Sequence, residues 1–264
     1  MGMDNEEYSY YEENQILRLS IQSIIGDRAE QQDASGYEMM SDGAMVVVCD
    51  GMGGHDGGRL ASQITVRAVK DTFRSHDIDE NISLTFVNAM IDADGEVYSL
   101  KKPDGSRMNA GSTVVAIRVK GSRLHWLAAG DSRIYLYRNE ELCIANVSHT
   151  YKWKLDRQLL TGEITEEEYR KQLPFGDQLV SYVGTGYADL QYMDVNNLPF
   201  ILMNGDRILL TTDGLFKILK DEEIKNILSN FKDIREAARA LITKTRRKGD
   251  GHLDNVTIAI IEIK

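Results

Sequence analysis

Cysteine is almost absent from this chain: Cys49 and Cys143 are its two copies in 264 residues. Both sit in apolar runs, so buried free thiols are expected in place of a disulfide, which fits a reducing compartment. Proline occurs three times, and no proline-rich linker divides the chain. No apolar run is long enough to span a bilayer, and no secretory signal opens the sequence. The expectation is a cytoplasmic protein with no membrane contact. Basic charge is also short. Lys+Arg is 31 against 41 for Asp+Glu, a net −10. That balance argues against general nucleic-acid binding and still leaves room for a local cationic pocket. Internal repeats and low-complexity tracts are missing too. With 42% hydrophobic residues, the chain can build the core of one large domain or two small ones.

What is present is a set of apolar β-runs that end in acids. Residues 1–14 are acidic and tyrosine-rich without an apolar period, and are expected to be frayed and disordered. Gln15 to Ile25 alternates Leu17, Leu19 and Ile21 with polar residues, the period of a strand. A polar loop, Gly26 to Asp33, follows. Tyr37 to Met40 begins another strand, and Ser41-Asp42-Gly43 turns it into Val46-Val47-Val48-Cys49-Asp50-Gly51-Met52-Gly53-Gly54-His55. Such a hairpin brings the Asp33 loop near the end of the strand that bears Asp50. The glycines let the backbone turn tightly and approach a ligand closely.

Leu60, Ile64 and Ala68 recur at helical spacing, and Leu84, Val87, Met90 and Ile91 do the same within Asn81 to Leu100. These stripes read as core. Strands follow over 112–119, 123–129, 134–138 and 142–145. Ser148 to Gly186 is polar and short of β-branched residues. It reads as an inserted lid over the sheet with helical pieces such as Thr165 to Gln172, where Thr165 and Glu168 fit a capping box. Arg207 to Thr212 is a strand running into Asp213-Gly214. Two helices, around Glu222 to Leu228 and Ile234 to Arg246, precede a last strand, Val256 to Ile263. Strands dominate the two ends with helical pairs between them, which indicates α+β with antiparallel sheets.

Asp50, Asp131, Asp213 and Asp254 share one context. Each lies beside Gly or Asn where an apolar β-run begins or ends. One such acid is usually a turn residue. Four are harder to dismiss, because a sandwich can gather strand ends at one rim. Oxygen ligands without a Cys or His cluster favour Mg²⁺ or Mn²⁺ over Zn²⁺. Converging carboxylates repel unless a cation neutralises them.

Six motifs carry a resemblance: Arg28-x-x-x-x-Asp33, Asp50-Gly51-Met52-Gly53-Gly54-His55, Gly111-Ser112-Thr113, Gly130-Asp131-Ser132-Arg133, Thr212-Asp213-Gly214-Leu215 and Asp254-Asn255-Val256-Thr257. In this order they resemble the metal-dependent Ser/Thr phosphatases of the type 2C class, in their compact bacterial branch. The likeness runs from about Ile16 to the C-terminus. It implies a central β-sandwich of two antiparallel sheets flanked by helices on both sides, and a single phosphatase domain over 15–264 with a flap inserted at about 148–186. Leu160 to Glu168 resembles that flap.

The resemblance also implies roles. Asp50 would bridge two Mg²⁺ or Mn²⁺ ions, and Gly51 would give one of them its carbonyl. Asp213 and Asp254 would hold the other, and Asp131 with Asp213 would make a third, weaker site. Arg28 would hold the substrate phosphate, and Asp33 would orient the metal-activated water. Gln31-Gln32-Asp33 departs from the family's frequent Asn-Glu-Asp. Gln32 then reaches a metal through water, with one charge fewer. Ser148-His149-Thr150 departs from the usual His or Lys followed by an acid.

The implied reaction is hydrolysis of phosphoserine and phosphothreonine in proteins by a metal-activated water. No phospho-enzyme forms. His55 is a candidate acid for the leaving alkoxide, or else a cap of the glycine turn. His76, His125, His149 and His252 read as structural or surface residues. The implied partners are phosphorylated proteins, substrates of a Ser/Thr kinase, met by a monomer. Two alternatives stand beside this: a catalytically silent phosphoprotein-binding regulator of the same fold, and a phosphatase devoted to one anti-sigma-factor antagonist.

Overall fold

The computed structural model describes residues 7–54, 56–75, 81–186 and 192–264. Two antiparallel sheets stack face to face. The first has the order β1 (Tyr8–Glu13), β2 (Leu17–Ile24), β13 (Val256–Ile263), β12 (Arg207–Thr211), β8 (Arg133–Arg138) and β9 (Glu141–Ile144). The second runs β10 (Asp194–Val195), β7 (Arg123–Ala129), β6 (Val114–Lys120), β4 (Gly43–Met52) and β3 (Asp33–Met40). Short β5 (Gly111–Ser112) pairs with β4, and β11 (Phe200–Ile201) pairs with β7.

Continuous apolar runs suit strands covered on both faces. In β4, Ala44, Val46 and Val48 point into the layer between the sheets, where they meet Leu19, Ile117, Leu210 and Ile261. Met45, Val47 and Cys49 point the other way, against α1 (Gly57–Ser75) and α2 (Ile82–Tyr98) through Phe73, Phe86 and Met90. In β13, Ile258 and Ile260 likewise face α6 (Asp221–Asn230) and α7 (Ile234–Gly249), packing on Ile227 and Leu241. Each such side chain taken out of water contributes roughly 1.5–3 kcal/mol. The result is the expected four-layer sandwich, helices outside and sheets inside. Among the described residues no helix is long and apolar enough to cross a membrane.

Three expectations need correction. Tyr8–Glu13 is not frayed: it pairs along its whole length with β2, from Tyr8 opposite Ser23 to Glu13 opposite Arg18. Its tyrosines pack on the core, so an amphipathic ring did the work that an apolar period would have signalled. Cys143 is exposed, not buried, because β9 is the edge strand of its sheet. Strand β3 starts at Asp33, four residues before the expected Tyr37, which makes Asp33 a strand residue and not a loop residue. The inserted segment does hold helical pieces, α3 (Tyr151–Thr161) and α4 (Glu166–Gln172). The expected capping box at Thr165 and Glu168 is present.

The insertion is tied down at its base. The His149 N–H donates to the Gly130 carbonyl (2.8 Å), and Val183 exchanges backbone hydrogen bonds with Ser112. Asp94, fully buried in α2, accepts at one oxygen from the N–H groups of Gly184 and Thr185. Both anchors hold the segment beside the strand ends that carry Asp131 and Asp50.

Candidate active site

Four strand ends meet at one rim. Asp50 stands near the end of β4, directly opposite Asp33 at the start of β3. Asp131 follows β7. Asp213 follows β12 and opens a short helix, α5 (Asp213–Phe216). Asp254 precedes β13. Asp50, Asp131, Asp213 and Asp254 line one cavity of about 470 Å³, together with Arg28, Gln32 and Gly51. Asp33 is 7% exposed and lies in register beside Asp50.

The motif residues around the acids turn out to be clamps. The Asp50 N–H donates to Thr113 Oγ1 (2.9 Å), and the Thr113 N–H donates back to the Asp50 carbonyl (2.8 Å). Thr212 Oγ1 donates to Asp33 Oδ2 (2.8 Å) and accepts from the Thr257 N–H (3.0 Å). Asn255 stitches the 26–32 loop to β13: its Oδ1 accepts from the Gln32 N–H and its Nδ2 donates to the carbonyls of Ile25 and Glu30. Gln31 Oε1 accepts from the Asp33 N–H (3.0 Å), so Gln31 helps to set the start of β3. Gly51 and Gly214 are forced by close approach. A Cβ on Gly51 would stand 2.1 Å from the Gly58 carbonyl oxygen, and one on Gly214 2.1 Å from that of Asn255.

The electrostatics are strained. Burial, opposed by hydrogen bonds from Thr212 and Thr257 and reinforced by the charges of Asp213 and Asp254, pushes Asp33 up to about 8. Burial and then the charges of Asp33, Asp213, Asp131 and Asp254 push Asp50 well above the usual carboxylate range. Asp131 rises to about 6 through burial and the charge of Asp213, with Lys217 pulling against them. Asp33 Oδ1 and Asp213 Oδ1 are buried without a hydrogen-bond partner. Buried acids of one sign with orphaned oxygens call for a cation. The oxygen-only donor set fits Mg²⁺ or Mn²⁺.

Two side-chain cations already lean on the cluster. Arg28 reaches Asp254 at 2.6 Å, with the guanidinium mostly exposed. It does not pair with its neighbours Asp27 or Glu30 in the way a plain surface arginine would. Lys217 pairs with Asp213. Among the described residues no three His, Cys, Asp or Glu side chains close into a ready-made ligand cluster. The Gln32 amide lines the cavity but donates to Glu30 and to the Gly53 carbonyl, both at 3.3 Å. His55 lies outside the described residues, as does His76. His149 and His125 are buried, in line with structural roles.

The sequence reading did not include Lys217, or Asp177 and Leu179, which the insertion contributes to the cavity wall. Lys217 is four residues from Asp213, a spacing that carries meaning only if Asp213 opens a helix. For Asp177 and Leu179 the sequence holds no local signal.

The sequence matches the protein phosphatase 2C family over residues 22–249, and the chain belongs to that family. It is similar to the serine/threonine phosphatase stp of Listeria monocytogenes, 28% identical over 240 residues that cover 89% of this chain and 91% of that protein. It superposes on the S. agalactiae serine/threonine phosphatase with a TM-score of 0.80 at 25% identity, covering 94% of this chain and 100% of that one. The catalytic domain of the serine/threonine protein phosphatase PstP, solved in complex with two manganese ions, gives a TM-score of 0.74 at 27% identity, covering 94% and 98%. The enzyme class expected from the motifs is thus a protein phosphatase. The four acids that the resemblance implies as metal ligands, Asp50, Asp131, Asp213 and Asp254, are all present in this chain.

Proposed function

We propose that this enzyme hydrolyses phosphoserine and phosphothreonine in proteins with Mg²⁺ or Mn²⁺ as cofactor. The meeting of Asp50, Asp131, Asp213 and Asp254 in one cavity, with Arg28 at its edge, carries the reading. Asp50, the Gly51 carbonyl, Asp213 and Asp254 would hold the two principal ions, with Gln32 and Asp131 lining the same cavity. Bound divalent ions supply Lewis-acid activation of a water and neutralise phosphoryl charge.

The remaining work falls to the chain. Arg28 is long, planar and mostly exposed, and its fork matches two phosphoryl oxygens. With a cation held at Asp254, Arg28 would be free to turn its fork to the substrate phosphate. Asp33 is held by Thr212 at one oxygen, which leaves the other to orient the attacking water. The leaving alkoxide needs a proton, and His55 is proposed as its donor from its place after Gly53-Gly54. Phosphorylated products of a Ser/Thr kinase are the proposed substrates. A cytoplasmic monomer without nucleic-acid or membrane partners is the proposed setting, supported by two unpaired cysteines and the net charge of −10.

The test is Asp213→Asn. An amide binds these cations far less well than a carboxylate, so phosphate release from a phosphothreonine peptide in Mn²⁺ should fall by roughly 100-fold or more. The thermal melt without metal should stay cooperative. Near-normal turnover at saturating Mn²⁺ would overturn the reading.

A further inference from the structure

We infer that the Lys217 ammonium stands in for a third divalent ion at the Asp131–Asp213 pair, so that this phosphatase takes up two ions and not three. The inference rests on the metal-dependent reading above and adds to it a statement about this chain's own lysine.

The geometry starts in α5. Asp213 opens that one-turn helix and Lys217 caps its other end, with the Lys217 N–H donating to the Asp213 carbonyl at 2.9 Å. Residues four apart on a helix share a face. The Lys217 Nζ therefore folds back onto Asp213 Oδ2. Asp213 itself is 8% exposed. Its two oxygens are in different states: Oδ2 is taken by the ammonium, while Oδ1 is buried with no hydrogen-bond partner. With Oδ2 held by the ammonium, a further ion could reach Asp213 only by sharing Oδ1 with the principal ion, against the repulsion of two dications. Here only Oδ1 is left for a metal.

Asp131 sits on the same side. It lines the same cavity as Asp213 and Lys217, and it feels the lysine's positive charge as well as the negative charge of Asp213. The ammonium thus neutralises the pair that a further divalent ion would otherwise bind. Lys217 is half exposed, so the head group keeps part of its hydration and is cheap to hold there. The positive charge that acts on Asp131 also repels a dication arriving there.

The experiment counts bound Mn²⁺ on the full chain by isothermal titration and by the loss of the free Mn²⁺ electron paramagnetic resonance signal. Wild type should take up two ions. Lys217→Met keeps the stem and removes the charge. It should take up a third, with affinity at that site about tenfold or more above whatever residual third binding wild type shows. Lys217→Arg should stay at two. Adding Asp131→Asn to Lys217→Met should return the count to two, whereas Asp131→Asn alone should leave it at two. Melting curves confirm that each variant folds. Three ions on wild type, or two on Lys217→Met, would overturn the inference and leave the two-metal reading standing. Fewer than two ions on wild type would overturn that reading and the inference together.

Discussion

Replacing Asp33 by Asn should stabilise the metal-free protein while it cripples turnover. Asp33 is 7% exposed and has an orphaned Oδ1. Burial lifts its pKa from 3.8 to about 8, against the pull of Thr212 and Thr257. The folded chain therefore holds a proton that the unfolded chain has already released. Because the folded state binds more protons, stability falls as pH rises from about 4 toward about 8, by about 1.4 kcal/mol per unit. By pH 7 the accumulated cost is about 4 kcal/mol. An amide carries no such cost. Its oxygen keeps the Thr212 hydrogen bond, but its N–H₂ lacks an acceptor at the Oδ1 position, which takes back about 1–2 kcal/mol. The net gain at pH 7 is about 2–3 kcal/mol, or roughly 5–10 °C in Tm for a chain of this size. The assay is thermal unfolding in EDTA from pH 4 to pH 8. The advantage of Asp33→Asn should grow with pH, cross zero at about pH 5 and become a deficit of about 1–2 kcal/mol at pH 4, where only the amide's missing acceptor is left. Adding Mn²⁺ should raise the wild-type Tm more than the variant's. A variant no more stable than wild type at pH 7 and pH 8 would refute the idea that Asp33 is a buried acid awaiting a cation.

Three further outcomes are expected. Arg28→Ala should raise KM for a phosphothreonine peptide more than it lowers kcat, and should weaken inhibition by inorganic phosphate, with Mn²⁺ affinity unchanged or improved because Asp254 loses its ion pair. Unchanged KM and unchanged phosphate inhibition would remove Arg28 from the site. Gln32→Glu should lower the half-saturating Mn²⁺ concentration by adding charge to the cavity wall, and should lower the Tm in EDTA, because the amide's bonds to Glu30 and Gly53 are lost and two acids then face each other; a half-saturating concentration that stays the same or rises means the side chain does not serve the metal. Arg207→Leu should destabilise the fold by about 3 kcal/mol in urea titration, since Arg207 pairs with the buried Glu262 and donates to the carbonyls of Leu228, Phe231 and Lys232; a loss below about 1 kcal/mol would mean that Arg18 alone satisfies Glu262.

Much of the fold was legible because its signals are local. The runs around Val46, Ile117 and Ile260 are apolar on both faces, and the chain reverses at Asp42-Gly43 and Lys120-Gly121 through residues suited to turns. That information sits within ten residues, and it marked β4, β6, β7, β12 and β13 with their connections. The helices that cover the sandwich announced themselves by apolar stripes, as with Leu60, Ile64 and Ala68. Helix α3 did not, because only Leu155 of its eleven residues is buried, so it leaves no stripe to read. Strand β1 was missed for the opposite reason. Its tyrosines can pack or stay wet, and only pairing with β2 decides which.

The site divides along the same line. Sequence alone singled out four acids: Asp50, Asp131, Asp213 and Asp254 stand where strands begin or end, an ordered set of six motifs contains them, and the fold brings all four to one cavity. It also determined the ligand chemistry, since oxygen donors without thiolates or imidazoles select hard cations. Tertiary structure decided what those acids experience. The pairing of Asp33 with Asp50 across β3 and β4 sets a buried carboxyl beside a half-buried one, and no stretch of sequence shows how little solvent reaches them. The same holds for Lys217, which becomes a partner of Asp213 only because α5 begins there, and for Arg28 and Asp254, 226 residues apart and joined at 2.6 Å. Strand propensity and turn chemistry act between neighbours in the chain. Desolvation and Coulomb forces act between neighbours in space, and folding alone determines who those are.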